Sequence, residues 1–300
     1  MKNMLQALVA STALFSASQV WAEDPSFHRP VASPDGTSLI FMMQGDETGG
    51  DWELFQMPLE GDGRKIRLTH HQGWDGYAVF APDGRHIVFD RSRDGSTENK
   101  APHFLDLDTG NARQIVSPSG WLSVSGWRED SLLAFWERDG QRDLYLLNLK
   151  GEIKEALTQT PDRSEHDAHF SPDGHSIAFA SSPATGDGET TLETISLLTR
   201  ERQVLHRSKG RIYGVAWAPD GSRLAFTDAP GGGDDDADVF VYDLASGKIS
   251  ACTTNDAWDH MPEWMPDGKK LLFTSYRSGK ERIYLTDCEE TVIELRIPKG

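Results

Sequence analysis

One short phrase recurs six times along the chain, and its spacing limits the possible fold more than any other feature. In five copies it reads Pro-Asp-Gly after Ser, Ala or Met, and in the third copy it has decayed to Trp-Arg-Glu-Asp. Successive copies lie 44 to 48 residues apart. A repeat of this length is typical of propellers and solenoids. The acidic residues that mark the six copies are Asp35, Asp83, Glu129, Asp173, Asp220 and Asp267.

Each phrase predicts a strand, a tight turn and a second strand. Proline fixes one backbone angle of the turn, and glycine takes the position that needs a positive φ. An aliphatic residue follows the marker acid by four positions and a phenylalanine by six, so both lie on one face of a strand. We expect the six phenylalanine rings to be buried between neighbouring sheets. They belong to Phe41, Phe89, Phe135, Phe179, Phe226 and Phe273.

The rest of each repeat supplies two more strands, such as segments 53–57 and 65–68 in the first repeat. Four short strands per repeat match a propeller blade, and the lack of helical periodicity excludes a solenoid of helix pairs. The sequence therefore predicts an all-β fold, a six-bladed β-propeller with four antiparallel strands per blade. We place the blade boundaries near residues 70, 117, 159, 206 and 254. Ring closure is expected from packing of the last blade on the first, or from residues 23–27.

The phrase, together with the Leu-Thr at 68–69 and 157–158, resembles the repeat of the TolB-type propellers. Segment 259–268 fits this family pattern, known as PD40 and WD40-like, nearly completely. The resemblance implies a non-enzymatic propeller whose partners are envelope proteins, such as a peptidoglycan-associated lipoprotein. TolB carries an α/β domain before its propeller. We expect that domain to be missing here, because the repeats begin near residue 28.

Residues 1–22 have the pattern of a secretory signal peptide. Lys2 gives a positive start, an apolar run follows over 5–15, and Val-Trp-Ala at 20–22 suits cleavage after Ala22. The apolar run is too short to span a membrane. The sequence thus predicts a signal peptide over 1–22, a single propeller domain over 23–300, and a periplasmic location without a membrane span.

The charge of the chain limits its partners. It has 47 acidic and 30 basic residues, a formal net charge of −17. Such a surface repels phosphate backbones, so we expect no nucleic-acid binding. We expect a monomer that binds an envelope protein or a small ligand.

The two cysteines, Cys252 and Cys288, are expected to be unpaired, although an oxidising compartment permits a disulfide. Cys252 falls near the end of the fourth strand of blade 5, and Cys288 near the end of the third strand of blade 6. Consecutive strands run in opposite directions, which would place these ends on opposite faces of the ring. That separation exceeds the roughly 7 Å between Cα atoms that a disulfide tolerates.

Polar residues recur where the innermost strand of each blade begins. Histidine stands seven residues before the marker acid in blades 1, 4 and 6, and tyrosine in blade 5; a carboxylate precedes this position in blades 2, 4 and 6. Because propellers bind ligands at the ends of the central channel, we predict a binding face here. Its residues are His28, Asp75, Glu165, His166, Tyr213, Asp259 and His260.

The chemistry of this face remains open. The three histidines, His28, His166 and His260, together with the neighbouring carboxylates, are candidate ligands of a divalent metal or a candidate acid and base. The favoured interpretation is that these histidines and carboxylates are solvated or backbone-bonding loop residues, and we expect no cofactor on that interpretation. The acidic loop over 231–238 suits calcium by composition but lacks the ligand order of an EF-hand, so a solvated loop is favoured.

The favoured function is a non-enzymatic binding scaffold in the cell envelope. The chain has no Gly-x-Ser-x-Gly motif and no phosphate-binding Gly-Lys-Ser/Thr. The alternative is a metal-dependent enzyme that resembles oligogalacturonate lyases, with histidines and carboxylates at the channel mouth.

Overall fold

The fold consists of six four-stranded antiparallel sheets arranged as blades around a central channel. A computed structural model of the protein describes residues 24–60, 63–92, 99–115, 120–138, 140–186, 188–233, 236–289 and 291–298. Within these residues the only helical element is one turn of 3-10 helix at Asp46–Thr48. The predicted signal peptide over 1–22 lies outside the described residues. No helix among those described is long and apolar enough to cross a membrane.

The chain forms the blades one after another, each from four consecutive strands. The strands are β1 (Ser26–Ala32), β2 (Ser38–Gln44), β3 (Glu53–Pro58) and β4 (Ile66–Arg67) in blade 1; β5 (Asp75–Phe80), β6 (His86–Ser92), β7 (Lys100–Asp106) and β8 (Ala112–Gln114) in blade 2; β9 (Trp121–Arg128), β10 (Ser131–Arg138), β11 (Gln141–Asn148) and β12 (Ile153–Ala156) in blade 3; β13 (Arg163–Phe170), β14 (Ser176–Pro183), β15 (Thr190–Ser196) and β16 (Arg202–Ser208) in blade 4; β17 (Arg211–Trp217), β18 (Arg223–Ala229), β19 (Asp238–Asp243) and β20 (Ile249–Ala251) in blade 5; and β21 (Asp259–Trp264), β22 (Leu271–Ser275), β23 (Arg282–Thr286) and β24 (Val292–Glu294) in blade 6.

The predicted fold is confirmed. The first strand of each blade is innermost and lines the channel, and four of the five predicted boundaries fall between blades. The boundary near residue 206 is wrong by a few residues, because β16 extends to Ser208.

The hydrophobic core lies between the blades, as the spacing of the phenylalanines predicts. Five of the six rings are fully buried, and Phe135 is 8% exposed. The core clusters join adjacent sheets: Phe226 of β18 packs with Ala178 and Leu192 of blade 4. Each blade is therefore stabilised mainly by its neighbours in the ring.

The Leu-Thr of the repeat is explained by a buried hydrogen-bond bridge, which the threonine forms in blades 1, 3 and 5. The Thr158 hydroxyl accepts from the backbone N–H of Leu144 at 2.8 Å and donates to Asp143 at 3.3 Å. Thr253 does the same with Val239 and Asp238. The threonine thus ties the outermost strand to the start of the third strand.

The Pro-Asp-Gly turns touch one another around the far end of the ring. A methyl group added at Gly84 would lie 3.7 Å from Pro34 of the preceding blade, and one at Gly36 would lie 3.6 Å from Pro266. In the third blade Arg128 replaces the proline, and its guanidinium donates to the Gly174 carbonyl at 2.7 Å. The degenerate copy therefore keeps the contact with different chemistry.

The ring closes between blades 6 and 1 without sharing a strand. The Phe27 N–H donates to the Glu281 carbonyl at 3.1 Å, and Arg282 forms an ion pair with Asp24. The Phe27 ring packs in one core cluster with Ile283 of β23. Both predicted sources of closure, packing between these blades and the segment before β1, are present.

The prediction for the cysteines is wrong: Cys252 and Cys288 form a disulfide, with their Cα atoms 4.2 Å apart. The prediction treated the strands of a blade as parallel to the ring axis. Adjacent strands are rotated by about 20–25°, so the outer strands of a four-stranded sheet are strongly tilted. The end of the fourth strand of one blade then approaches the end of the third strand of the next. The disulfide covalently links blades 5 and 6.

Candidate functional site

A β-bulge or register shift interrupts the innermost strand of every blade, and in five of the six it contains a left-handed residue. The pairing register between first and second strands shifts at the same repeat position in blades 1, 2, 4, 5 and 6. One residue of each of these five bulges is left-handed, with φ between 47° and 61°. A bulge re-aims a side chain, and a left-handed non-glycine residue costs about 1–2 kcal/mol. The five residues are Arg29, Tyr77, Asp167, Gly214 and Met261.

These bulge residues all line the central channel, a cavity of about 340 Å³. The freed backbone N–H of the bulge has a specific partner in two blades. The Arg29 N–H donates to the Thr274 hydroxyl at 3.0 Å, and the Met261 N–H donates to Thr227 at 3.1 Å. Each threonine belongs to the preceding blade, so contacts between blades hold the strained backbone in place.

An ion pair crosses the channel. The Arg29 guanidinium of blade 1 lies 3.3 Å from the Asp167 carboxylate of blade 4, on the opposite side of the ring. The same guanidinium lies over the Tyr77 ring, 4.0 Å from its centroid. His166 Nδ1 contacts the other Asp167 oxygen at 2.9 Å. Burial alone would raise the pKa of Asp167. The hydrogen bond from His166 and the positive charges of His166 and Arg29 outweigh it and lower that pKa well below its usual range.

Two further ionisable groups, His169 and Glu263, line the channel. Burial lowers the pKa of His169 to about 4, so the imidazole is neutral at physiological pH. Burial raises the pKa of Glu263 to about 7. The channel therefore combines a fixed ion pair with a neutral imidazole and a carboxyl group that titrates near neutrality.

Replacing Glu263 with Gln should change how stability depends on pH. The carboxyl ionises near pH 4.5 in the unfolded chain and near 7 in the folded protein. The folded state then binds more protons between these values, so its stability falls as pH rises through this window. We expect E263Q to lose that fall, and to exceed wild type by about 1–2 kcal/mol at pH 8 but not at pH 4.5, allowing for solvent screening.

Urea unfolding at both pH values measures this difference. Glu129→Gln, at a side chain that is 78% exposed, is the control and should follow wild type. A difference between E263Q and wild type that is the same at both pH values would contradict the assignment.

The three carboxylates predicted for the binding face do not face the channel. Asp75, Glu165 and Asp259 are fully buried. The two Asp75 oxygens accept from Arg91 at 2.8 and 2.7 Å. In the same way Glu165 pairs with an arginine of its own blade, and so does Asp259. Their role is structural, and the expectation that they are solvated loop residues is wrong.

The histidines predicted together separate into two groups. His28 and His260 lie side by side with ring centroids 5.2 Å apart, whereas His166 lies in blade 4 beside Asp167. His260 is fully buried, so the expectation of an exposed loop residue is also wrong. Tyr213 is nearly buried, and its hydroxyl accepts from the Trp258 indole at 2.8 Å.

A possible metal-binding group does exist, but with a different third member. His28, His260 and Glu281 each offer one ligand atom, and these atoms lie within 4.8 Å of one another. Glu281 is on the loop before β23, outside the repeat position that the sequence singled out. The acidic loop is only partly described: Asp234 and Asp235 lie outside the described residues, and Asp236 accepts from the Gly231 N–H.

Residues 184–297 match the sequence family PD40, described as the TolB beta propeller domain. This part of the chain is therefore similar to the TolB propeller family. The chain is 24% identical over 165 residues to the Tol-Pal system protein TolB of Francisella tularensis subsp. mediasiatica, a match that covers 53% of this chain and 37% of that protein. It thus spans little more than a third of that relative's length.

Solved structures show the same fold. TolB from Acinetobacter baumannii superposes on this chain with a TM-score of 0.64 at 16% identity, covering 90% of this chain and 63% of that one. An oligogalacturonate lyase in complex with manganese superposes with a TM-score of 0.57 at 17% identity, covering 87% and 90%. At these identities the likeness concerns the fold alone.

Proposed function

We propose that the protein is a non-enzymatic scaffold of the bacterial periplasm that binds a segment of a cell-envelope protein at the channel mouth. The likeness to a Tol-Pal system protein and the pattern of residues 1–22 support the compartment. The observation that carries the proposal is the wall of the channel, where four strained bulges direct the side chains of Arg29, Tyr77, Asp167 and Met261 inward. Strain held by the surrounding structure is a mark of pre-organised sites.

The ion pair across the channel gives the site its polar specificity. Arg29 and Asp167 hold each other in place but remain partly exposed, at 22% and 15% of their side chains. A carboxylate of the partner can replace Asp167 at the guanidinium, and an ammonium can replace Arg29. Because both charges are already oriented, the exchange costs little reorganisation.

Apolar side chains surround this pair and offer space for a partner's hydrophobic group. The channel is also lined by Tyr77, Trp121, Phe170 and Met261. An apolar cavity with a few oriented polar groups is the usual form of a binding site.

An aromatic platform lies where the innermost strands begin. Trp258 and Tyr276 are stacked with centroids 5.6 Å apart, and Tyr276 is 40% exposed. Tyrosine and tryptophan are enriched in protein interfaces because they combine apolar area with a polar tip. We propose that this mouth, and not the Pro-Asp-Gly end, receives the partner.

The test is calorimetric titration with the soluble domain of the peptidoglycan-associated lipoprotein from the same bacterium. Arg29→Gln should weaken binding at least about tenfold, the equivalent of 1.4 kcal/mol. Arg85→Gln is the matched control, since Arg85 pairs with Asp108 on the exposed surface of the opposite end. The proposal fails if wild type does not bind, or if Arg85→Gln weakens binding as much as Arg29→Gln does.

A lyase is the second candidate, and the observation in its favour is the cluster of His28, His260 and Glu281. An acidic protein with Asp167 and Glu263 in its channel is poorly suited to a polyanionic sugar. Incubation with oligogalacturonate and manganese, followed by ultraviolet detection of an unsaturated product, distinguishes the two functions.

A further inference from the structure

The seam between blades 6 and 1 contains a histidine whose hydrogen-bonding capacity is unused. His260 is fully buried, with a relative exposure of 0%. Neither ring nitrogen has a hydrogen-bond partner within the described part of the chain. A buried polar group left without a partner costs about 1–3 kcal/mol, so this arrangement requires an explanation.

The surroundings of His260 fix its ring and offer two further ligands. The imidazole is stacked on Trp258 with centroids 4.0 Å apart, and His28 lies on its other side. His28 Nδ1 is 3.2 Å from the Glu281 carboxylate. The three ligand atoms offered by His28, His260 and Glu281 lie within 4.8 Å of one another. A neutral imidazole is the form that binds metals.

We propose that His28, His260 and Glu281 bind one Zn²⁺ ion at the seam between the first and last blades. Two imidazole nitrogens and one carboxylate oxygen form a ligand set that suits zinc, whereas calcium prefers oxygen ligands alone. The ion would occupy the unused nitrogen of His260 and link blade 1, through His28, to blade 6. This inference is independent of the proposed partner binding.

The position of the site gives the ion a structural role. No strand of the described residues crosses from blade 6 to blade 1, so closure depends on packing and a few polar contacts. A metal bound only by the closed ring stabilises that ring by an amount that rises with the logarithm of the metal concentration relative to Kd. Zinc should therefore stabilise the contact between blades 6 and 1.

The experiment is zinc titration of the chelator-treated full-length protein, recovered after export. We expect one tight site per chain, and a rise in Tm with added Zn²⁺. His28→Gln and Glu281→Gln should each weaken zinc binding by at least about 10–100-fold, since loss of even an outer-shell partner has effects of that size. Both avoid His260, whose replacement in the core risks unfolding.

Two controls separate the site from adventitious binding and from partner binding. His86→Ala removes a surface histidine that also has carboxylates nearby, Asp83 and Asp106, and should leave zinc affinity unchanged. Arg29→Gln should bind zinc like wild type. In wild type, Co²⁺ in place of Zn²⁺ should give the visible absorption of a four-coordinate site. The proposal is overturned if wild type shows no tight site, if His28→Gln and Glu281→Gln bind zinc normally, or if His86→Ala abolishes binding.

Discussion

Phe226→Ala should lower the free energy of unfolding by about 3–5 kcal/mol, the usual cost of deleting a buried aromatic ring. Phe226 is fully buried between blades 4 and 5 and is stacked on Phe240, with centroids 5.9 Å apart. Blades 4 and 5 belong to a closed circle of sheets. Neither blade can therefore move to fill the cavity left by the phenyl group without pulling away from its other neighbour. Urea unfolding followed by tryptophan fluorescence measures the loss.

Leu198→Ala is the matched control for this substitution. Leu198 is 89% exposed, and its truncation should change stability by no more than about 0.5 kcal/mol. Equal effects of the two substitutions would mean that the phenylalanine layer is not the principal core.

Arg91→Met should also destabilise the protein by about 3–5 kcal/mol, because it leaves the fully buried Asp75 carboxylate without its partner. The methionine keeps much of the apolar length of the arginine side chain, so the effect reports the charge and its two hydrogen bonds. Urea unfolding at pH 7 gives the value.

Two comparisons make this result interpretable. Arg85→Ala breaks the exposed pair with Asp108 and should cost at most about 1 kcal/mol. The double variant Asp75→Asn with Arg91→Met removes the isolated charge and should recover part of the loss. If Arg91→Met costs no more than Arg85→Ala, the pair in blade 2 does not hold the start of its innermost strand.

Much of the fold could be predicted because its determinants are local in sequence. The spacing from the marker acid to the phenylalanine fixes which face of the second strand is buried, and Pro-Asp-Gly fixes the turn before it. The spacing survives even in the third blade, where Phe135 keeps its place although Pro-Asp-Gly has been lost. Ring closure and the disulfide depend instead on the twist of whole sheets, which no short segment specifies.

The side chains that meet in the channel stand one residue after the position that the repeat pattern singles out. His28, His166 and His260 share that position in the repeat, directly before the bulge. The bulge that follows then turns the next side chain toward the channel, so that Arg29 and Asp167 meet there. A left-handed arginine or aspartate leaves no periodic signal in the sequence. Glu281 was missed because it lies in a loop outside the repeat pattern.

The left-handed bulge makes the choice of side chain in the channel independent of the residues that build the sheets. Each bulge is held by backbone pairing and by the neighbouring blade, whereas its side chain contributes to the channel and little else. The five positions carry an arginine, a tyrosine, an aspartate, a glycine and a methionine, on nearly identical backbone. A propeller of this kind can carry a different residue at each bulge on the same backbone. We therefore expect a single substitution at a bulge to change the chemistry of the channel while the sheets remain as they are.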